Sequence, residues 1–186
     1  MANPFFTIGH STRPIDEFAA LLAAAEVKLV VDVRTVPRSR TNPQFNRDAL
    51  PAPLALQGVA YEHVAALGGL RGKQAGVSPE VNAFWDNASF HNYADYAMSE
   101  EFRLSLMKLR DLGHKTRLSV MCAESLWWRC HRRIITDYLL TAGEEVFHIL
   151  GAGHVEEAHL TPAARVGPEG TLTYPRDSQL ALDLGP

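Results

Sequence analysis

The feature that most constrains this chain is the order of its first three patterned segments. Phe5-Phe6-Thr7-Ile8 reads as a short buried strand stopped by Gly9. Phe18, Leu21, Leu22 and Ala25 then fall at helical spacing, predicting a helix over about Ile15–Ala25, with Ser11 or Thr12 as its cap and Pro14 in its first turn. Leu29-Val30-Val31-Asp32-Val33 follows, almost wholly apolar, as a strand covered on both faces must be. Strand, helix and strand of these lengths form a βαβ unit, which requires a parallel sheet.

The rest of the chain extends this pattern. Residues Arg34 to Pro53 carry four prolines, Pro37, Pro43, Pro51 and Pro53, and read as a loop with room for a short helix over about Arg47–Leu56. That loop has the composition of a lid. Gly58–His63 predicts a third strand, followed by the glycine-rich segment Leu67–Lys73, which lacks the spacing of a phosphate-binding loop. Helical material spans Tyr93 to Gly113 in two pieces. Arg117–Cys122 predicts a fourth strand, Leu126–Thr141 a helix ended by Gly143, and Glu145–Leu150 a fifth strand running toward His154. The expected fold is a three-layer α/β domain over residues 1–150, a mostly parallel sheet with helices on both faces. Residues 151–186 form an extended C-terminal arm packed on it, with Tyr174 and Leu180 as anchors.

Composition narrows the function classes. A hydrophobic fraction of 46% and a charged fraction of 21% are those of a globular domain. No run of about 18 apolar residues is present, so no membrane partner is expected. Met1-Ala2-Asn3-Pro4 does not read as a secretory signal, and two cysteines make no disulfide framework, so the expected compartment is the reducing cytosol. The net charge of −3 sits entirely in the arm, where five acids face two bases. The remaining body is neutral, with arginines gathered at Arg34, Arg38, Arg40 and Arg47, at Arg71 and Lys73, and at Arg129, Arg132 and Arg133. That distribution suits a local anion site better than a general nucleic-acid surface.

In parallel α/β sheets, ligands bind beyond the carboxyl ends of the strands. Applied here, that rule gathers His10, Ser11, Asp32, Arg34, Cys122 and Glu124 at one edge. Cys122, at a strand end ahead of a helix, is placed as a nucleophile or redox thiol, against the alternative of a small buried residue closing the strand. Glu124 is a candidate general base or first-turn acid. Cys130 falls on the stripe of Leu126, Trp127, Ile134 and Tyr138, which favours a packed core cysteine. His131 lies about 100° further round, so Cys130 and His131 make a poor zinc pair. No metal site is assigned; a set drawn from Cys122, Glu124 and either Cys130 or His131 is the one combination left open. Arg129 comes one residue too late after Cys122 for a phosphatase signature. Arg34 and Arg132 are candidate anion anchors, with Asp32 as orienting acid or buried ion-pair partner and His10-Ser11 as a proton-transfer or anion-binding position. Phe84, Trp85, Tyr93 and Tyr96 are core anchors unless exposed beside the arginines, where they would stack on a base or sugar.

Several of these segments together resemble one family. Thr7-Ile8-Gly9-His10-Ser11, Asp32-Val33-Arg34 with Pro37 and Ser39, Leu67-Gly68-Gly69, Tyr93-Ala94 and Cys122-x-Glu124…Cys130-His131-Arg132 are similar to the domain-of-unknown-function 488 family, over roughly residues 5–150. The segments His159–Pro162 and Tyr174-Pro175 are similar to longer members. The resemblance implies a bacterial-type cytosolic α/β protein whose marked residues include those derived above, and it brings no established activity or cofactor. The leading expectation is an enzyme acting on a small anionic ligand, a nucleotide or nucleic-acid component. Cys122, Glu124, His10 and His131 would be catalytic, and Arg34, Arg132, Asp32 and Ser11 would bind substrate. A binding or redox-sensing module without turnover is the second reading, since a strand end and the first helical turns can bring two cysteine Cα atoms within about 7 Å. Nucleic-acid binding is the third.

Overall fold

A computed structural model describes residues 3–176. Its main sheet has six strands: β1 (Phe5–Gly9), β2 (Leu29–Asp32), β3 (Ala60–His63), β4 (Leu118–Cys122), β5 (Val146–Gly151) and β6 (His154–Glu157), in the order β3-β2-β4-β1-β5-β6. The first five are parallel, and β6 closes one edge antiparallel to β5. This is the expected mostly parallel sheet with helices on both faces. β1, β2 and β4 are buried at every residue, which is why their sequences run apolar rather than alternating.

Two cores flank the sheet. On one face, Phe18, Leu21 and Leu22 of α1 (Ile15–Ala24) and Leu54 of α2 (Pro51–Leu56) pack on Phe6, Ile8 and Val30. On the other, α3 (Ala88–Tyr96), α4 (Glu100–Lys115) and α5 (Arg132–Thr141) bring Tyr93, Phe102, Leu109 and Ile135 onto Phe5, Val31 and Val120. Asn87 and Ser99 cap α3 and α4 through their side chains. The crossover from β3 through α3 and α4 inserts β4 between β2 and β1, so the carboxyl ends Asp32, Cys122 and Gly9 stand side by side at mid-sheet.

Three local expectations change. The cap of α1 is Pro14, not Ser11 or Thr12. Ser11 instead adopts φ 49° and donates its backbone N–H to the Ala123 carbonyl, tying the end of β1 to the loop after β4. The helix expected from Leu126 is broken: a 3-10 turn covers Trp127–Arg129, Cys130 is extended at φ −131° and ψ 150°, and α5 starts at Arg132. Cys130 is therefore not on a helical stripe. Finally, the segment after Gly151 opens with an edge strand of the main sheet before continuing as the arm. The arm carries a small hairpin of β7 (Arg165–Val166) and β8 (Leu172–Thr173). Buried Tyr174 anchors it, donating its hydroxyl to Asp137 Oδ2 at 3.0 Å and its N–H to Asn82 Oδ1 at 2.9 Å. Leu180 lies outside the described residues.

Gly9 marks the tightest crossing. A Cβ there would overlap the backbone carbonyl of Glu124, which has no room to yield. Gly9→Ala is expected to destabilise the fold by about 2–3 kcal/mol, the upper part of the overpacking range. Urea denaturation of the two proteins measures it, and an unchanged midpoint would contradict the crossing.

Candidate functional site

The mid-sheet strand ends open into a cavity of about 660 Å³. Its floor is Cys122, Cys130 and His131; its walls come from the turn after β1, the loop after β2, Gly69-Leu70, Ser89-Phe90 of α3 and the turn after β4. The loop after β2, with its lid-like composition, forms a pinned wall: Asn46 Oδ1 accepts from Ser39 N at 2.6 Å, and Pro37 O accepts from Arg47 N at 3.0 Å.

Asp32 and Arg34 build the frame beside the floor. Both are buried, with Arg34 only 7% exposed. The Arg34 Nε donates to Asp32 Oδ1 at 2.9 Å, and its Nη2 donates to Asp32 Oδ2 and to the Phe45 carbonyl, each at 2.6 Å. Tyr61 adds its hydroxyl to Asp32 Oδ2 at 2.7 Å. The third face of the guanidinium meets His10. His10 Nδ1 lies 2.8 Å from the Ser11 carbonyl, which can only accept, so Nδ1 carries the proton and Nε2 accepts from Arg34 Nη1 at 3.1 Å. Burial, with the Arg34 charge adding to it, lowers the His10 pKa to about 4. Neither ring nitrogen of His10 is free for the cavity, and the ring stacks on Phe45 at 4.2 Å.

The thiols form the second constellation. Cys122 Sγ and Cys130 Sγ stand 2.7 Å apart, both buried and both free. His131 Nε2 lies 3.0 Å from the Val33 carbonyl and so carries a proton, which turns Nδ1 toward Cys130 Sγ at 3.4 Å. Two residues adjacent in sequence thus make a thiol–imidazole pair, because the extended Cys130 precedes a helical His131. Gly69 leaves the ring its place: a Cβ there would sit 2.5 Å from His131 Nδ1.

Arg132, 1% exposed, lies beneath the thiols and does not line the cavity. Its Nη2 donates to the Glu124 carbonyl and its Nη1 to Thr7 Oγ1 at 3.4 Å. Among the described residues no carboxylate pairs with it, and the acidic groups that act on it are the two thiols. The pair responds unequally. Burial and the hydrogen bond to Cys130 push the Cys122 thiol up. Burial acts the same way on Cys130, but the hydrogen bond from Cys122 and the His131 and Arg132 charges outweigh it and hold Cys130 well below the ordinary thiol value.

Glu124 is half-buried at the cavity wall. Its Oε1 accepts from Leu126 N at 3.1 Å, while Oε2 has no partner among the described residues. Ser11 lines the cavity. Two wall residues were outside the expected site set: Arg38 and Arg129 are exposed, and neither guanidinium has a partner among the described residues. Trp85, Tyr93 and Tyr96 are buried, Tyr93 and Tyr96 donating their hydroxyls to the Leu67 and Ala66 carbonyls. Phe90 is the aromatic side chain that reaches the cavity, while His154 is exposed on β6 and does not. Among the described residues no group of three or more His, Cys, Asp or Glu is arranged to hold a metal ion, and no helix is long and apolar enough to cross a membrane.

Residues 14–139 match the family described as Domain of unknown function DUF488. The chain belongs to that family. The DUF488 match takes in Asp32, Arg34, Cys122, Glu124, Cys130, His131 and Arg132, and begins just after His10 and Ser11. Comparisons with curated proteins and with solved structures gave no match.

Two predictions come from the buried charges. Asp32→Ala leaves Arg34 charged and unpaired in the interior, and a loss of about 3–5 kcal/mol is expected in urea denaturation; a loss below about 1 kcal/mol would mean the guanidinium finds water. The second concerns pH. Burial lowers His10 to about 4 and, with the Arg132 charge, His148 to about 3, against 6.5 in the unfolded chain. The unfolded state therefore binds more protons below pH 6.5, so their contribution is full above that pH and lost as pH falls toward 4 and 3. Denaturation midpoints at pH 7 and pH 5 should differ less in His148→Gln than in the unsubstituted protein, and equal differences would contradict the assignment.

Proposed function

We propose that this protein is a thiol-dependent enzyme acting on a small anionic substrate, with a nucleotide or nucleic-acid component as the class that best suits the cavity. One observation carries the reading. A buried arginine without a carboxylate partner lies under a close pair of thiols that floors a cavity of about 660 Å³. A guanidinium keeps its charge in the interior, so the balancing negative charge is a thiolate. Cys130 is the group in position to carry it, with Cys122 donating its S–H and His131 Nδ1 alongside.

The remaining residues divide by what they can reach. Cys130 takes the nucleophile's role expected of Cys122, and His131 exchanges a proton with it. Glu124 offers a free carboxylate oxygen to a leaving or attacking group. Arg38 and Arg129 supply unspent donors for the substrate anion, and Phe90 and Leu70 an apolar wall against which a base can lie. Arg34, Asp32 and His10 act as the frame that positions the wall, and Arg132 as counter-charge to the thiolate; these are positioning residues. Anion and base contacts from separate lining segments suit a ligand of nucleotide size, which also fits the cavity volume.

Calorimetric titration with nucleoside 5′-monophosphates tests this. Binding is expected to weaken about tenfold in Arg129→Ala and again in Arg38→Ala, the loss of a charge-assisted hydrogen bond in each case. Bound ligand should also slow alkylation of the thiols by iodoacetamide. Titrations without heat at millimolar ligand, together with unprotected thiols, would sink the reading.

A further inference from the structure

Nucleophilic chemistry needs one thiolate, and this floor holds two thiols in contact. Cys122 Sγ lies 2.7 Å from Cys130 Sγ, both residues line the cavity, and these are the chain's two cysteines. The pair is asymmetric. Cys130 faces His131 Nδ1 at 3.4 Å, whereas the neighbour of Cys122 is the Glu124 carbonyl, 3.6 Å from its sulfur. With its imidazole alongside, the Cys130 sulfur is the one placed to attack and Cys122 the one to follow. A second thiol so close has a chemical consequence that a packing role alone does not give it: any sulfur adduct formed on Cys130 is within reach of Cys122.

The geometry points to a second activity at this floor: the Cys122–Cys130 dithiol reduces small disulfides and is itself converted to an intramolecular disulfide. The inference rests on the thiolate of the proposed function but not on its anionic substrate. In the first step the Cys130 thiolate attacks one sulfur of a disulfide R–S–S–R. A Cys130–S–S–R bond forms, the R–S–S–R bond breaks, and RS⁻ leaves into the cavity. In the second step Cys122 gives up its proton, which goes to RS⁻, and its sulfur attacks Cys130 Sγ. A Cys122–Cys130 bond forms and the second RS⁻ leaves. Two electrons pass from the dithiol to the external disulfide, which becomes two thiol equivalents. The oxidised floor has no nucleophile, so the same exchange, reversed by an external dithiol, switches the proposed enzyme off and on.

The arrangement also sets the order of events. His131 is held by the Val33 carbonyl and cannot swing to Cys122 without losing that bond. Arg132 is fixed from below by the Glu124 and Ser125 carbonyls. Attack by Cys130 and resolution by Cys122 is therefore the expected direction, and the variants should report it.

The folded protein, fully reduced, is mixed with oxidised glutathione and followed by intact mass and peptide mapping. The expected product is a chain lighter by two hydrogens with residues 122 and 130 joined. Cys122→Ser should stop at a stable glutathionyl adduct on Cys130. Cys130→Ser should react slower by on the order of a hundredfold or more, having lost the thiolate. A final product in the unsubstituted protein that keeps glutathione, or no reaction while folded, would overturn the inference, as would an adduct on Cys122 forming as fast in Cys130→Ser. Should either serine variant not fold, the joined peptide in the unsubstituted protein decides alone. Hydroxyethyl disulfide, which is uncharged, separates the two readings. Exchange with it in a protein that binds no nucleoside monophosphate would leave this activity standing and remove the anionic substrate, and monophosphate binding without exchange would do the reverse.

Discussion

A guanidinium cannot shed its proton at any pH a protein survives, so each one carried into the interior fixes the charge of its surroundings. This domain buries two at the carboxyl edge of its sheet. Arg34 is neutralised within two residues by Asp32, and the pair organises Tyr61, the Phe45 carbonyl and His10 around itself. Among the described residues Arg132 has no such acid, and the two thiols lie beside it instead. The contrast divides the edge into a closed salt-bridged frame and an open thiol floor. The contacts to the Phe45 carbonyl and to His10 Nε2, and those of Arg132 to the turn after β4, follow from where those two charges sit.

The location of this edge was legible in the sequence because it depends on strand ends alone. Once Phe5–Ile8, Leu29–Val33 and Arg117–Cys122 are strands of one parallel sheet, His10, Asp32, Arg34, Cys122 and Glu124 must approach one another, whatever the details of packing. The long β3-to-β4 crossover places Cys122 between the other two ends, and that central position is a property of strand order rather than of any local pattern.

What lay beyond reach were contacts made between segments far apart. The apolar spacing of Leu126 through Tyr138 fits one helix, yet the chain breaks at Cys130 because Trp127 is drawn onto His148, its ring stacked at 4.3 Å, and Arg132 reaches back to the Glu124 carbonyl. Tertiary contacts there override a pattern that is helical on its own terms. Cys130 stays in the core, as its apolar neighbours suggest, but that single break turns its sulfur onto that of Cys122. Tyr61 and His63 offered a fainter signal: they share one side of β3, next to β2, and both reach the Asp32-Val33-Arg34 segment. Gly69 stood out only as part of the family-like Leu67-Gly68-Gly69, since its need for an absent Cβ arises from His131, 62 positions away in the numbering.

The start of α5 has one more consequence. Cys130, His131 and Arg132 are consecutive: a thiol, the imidazole beside it and the guanidinium beneath it. Fluctuations that unwind the first turn of a helix are the cheapest openings a folded domain makes. Here such an opening would release all three groups together rather than loosening one against the others. Cys122, held in β4, would stay behind, so one local opening would separate the two sulfurs, and amide hydrogen exchange of residues 130–132 should show a common rate.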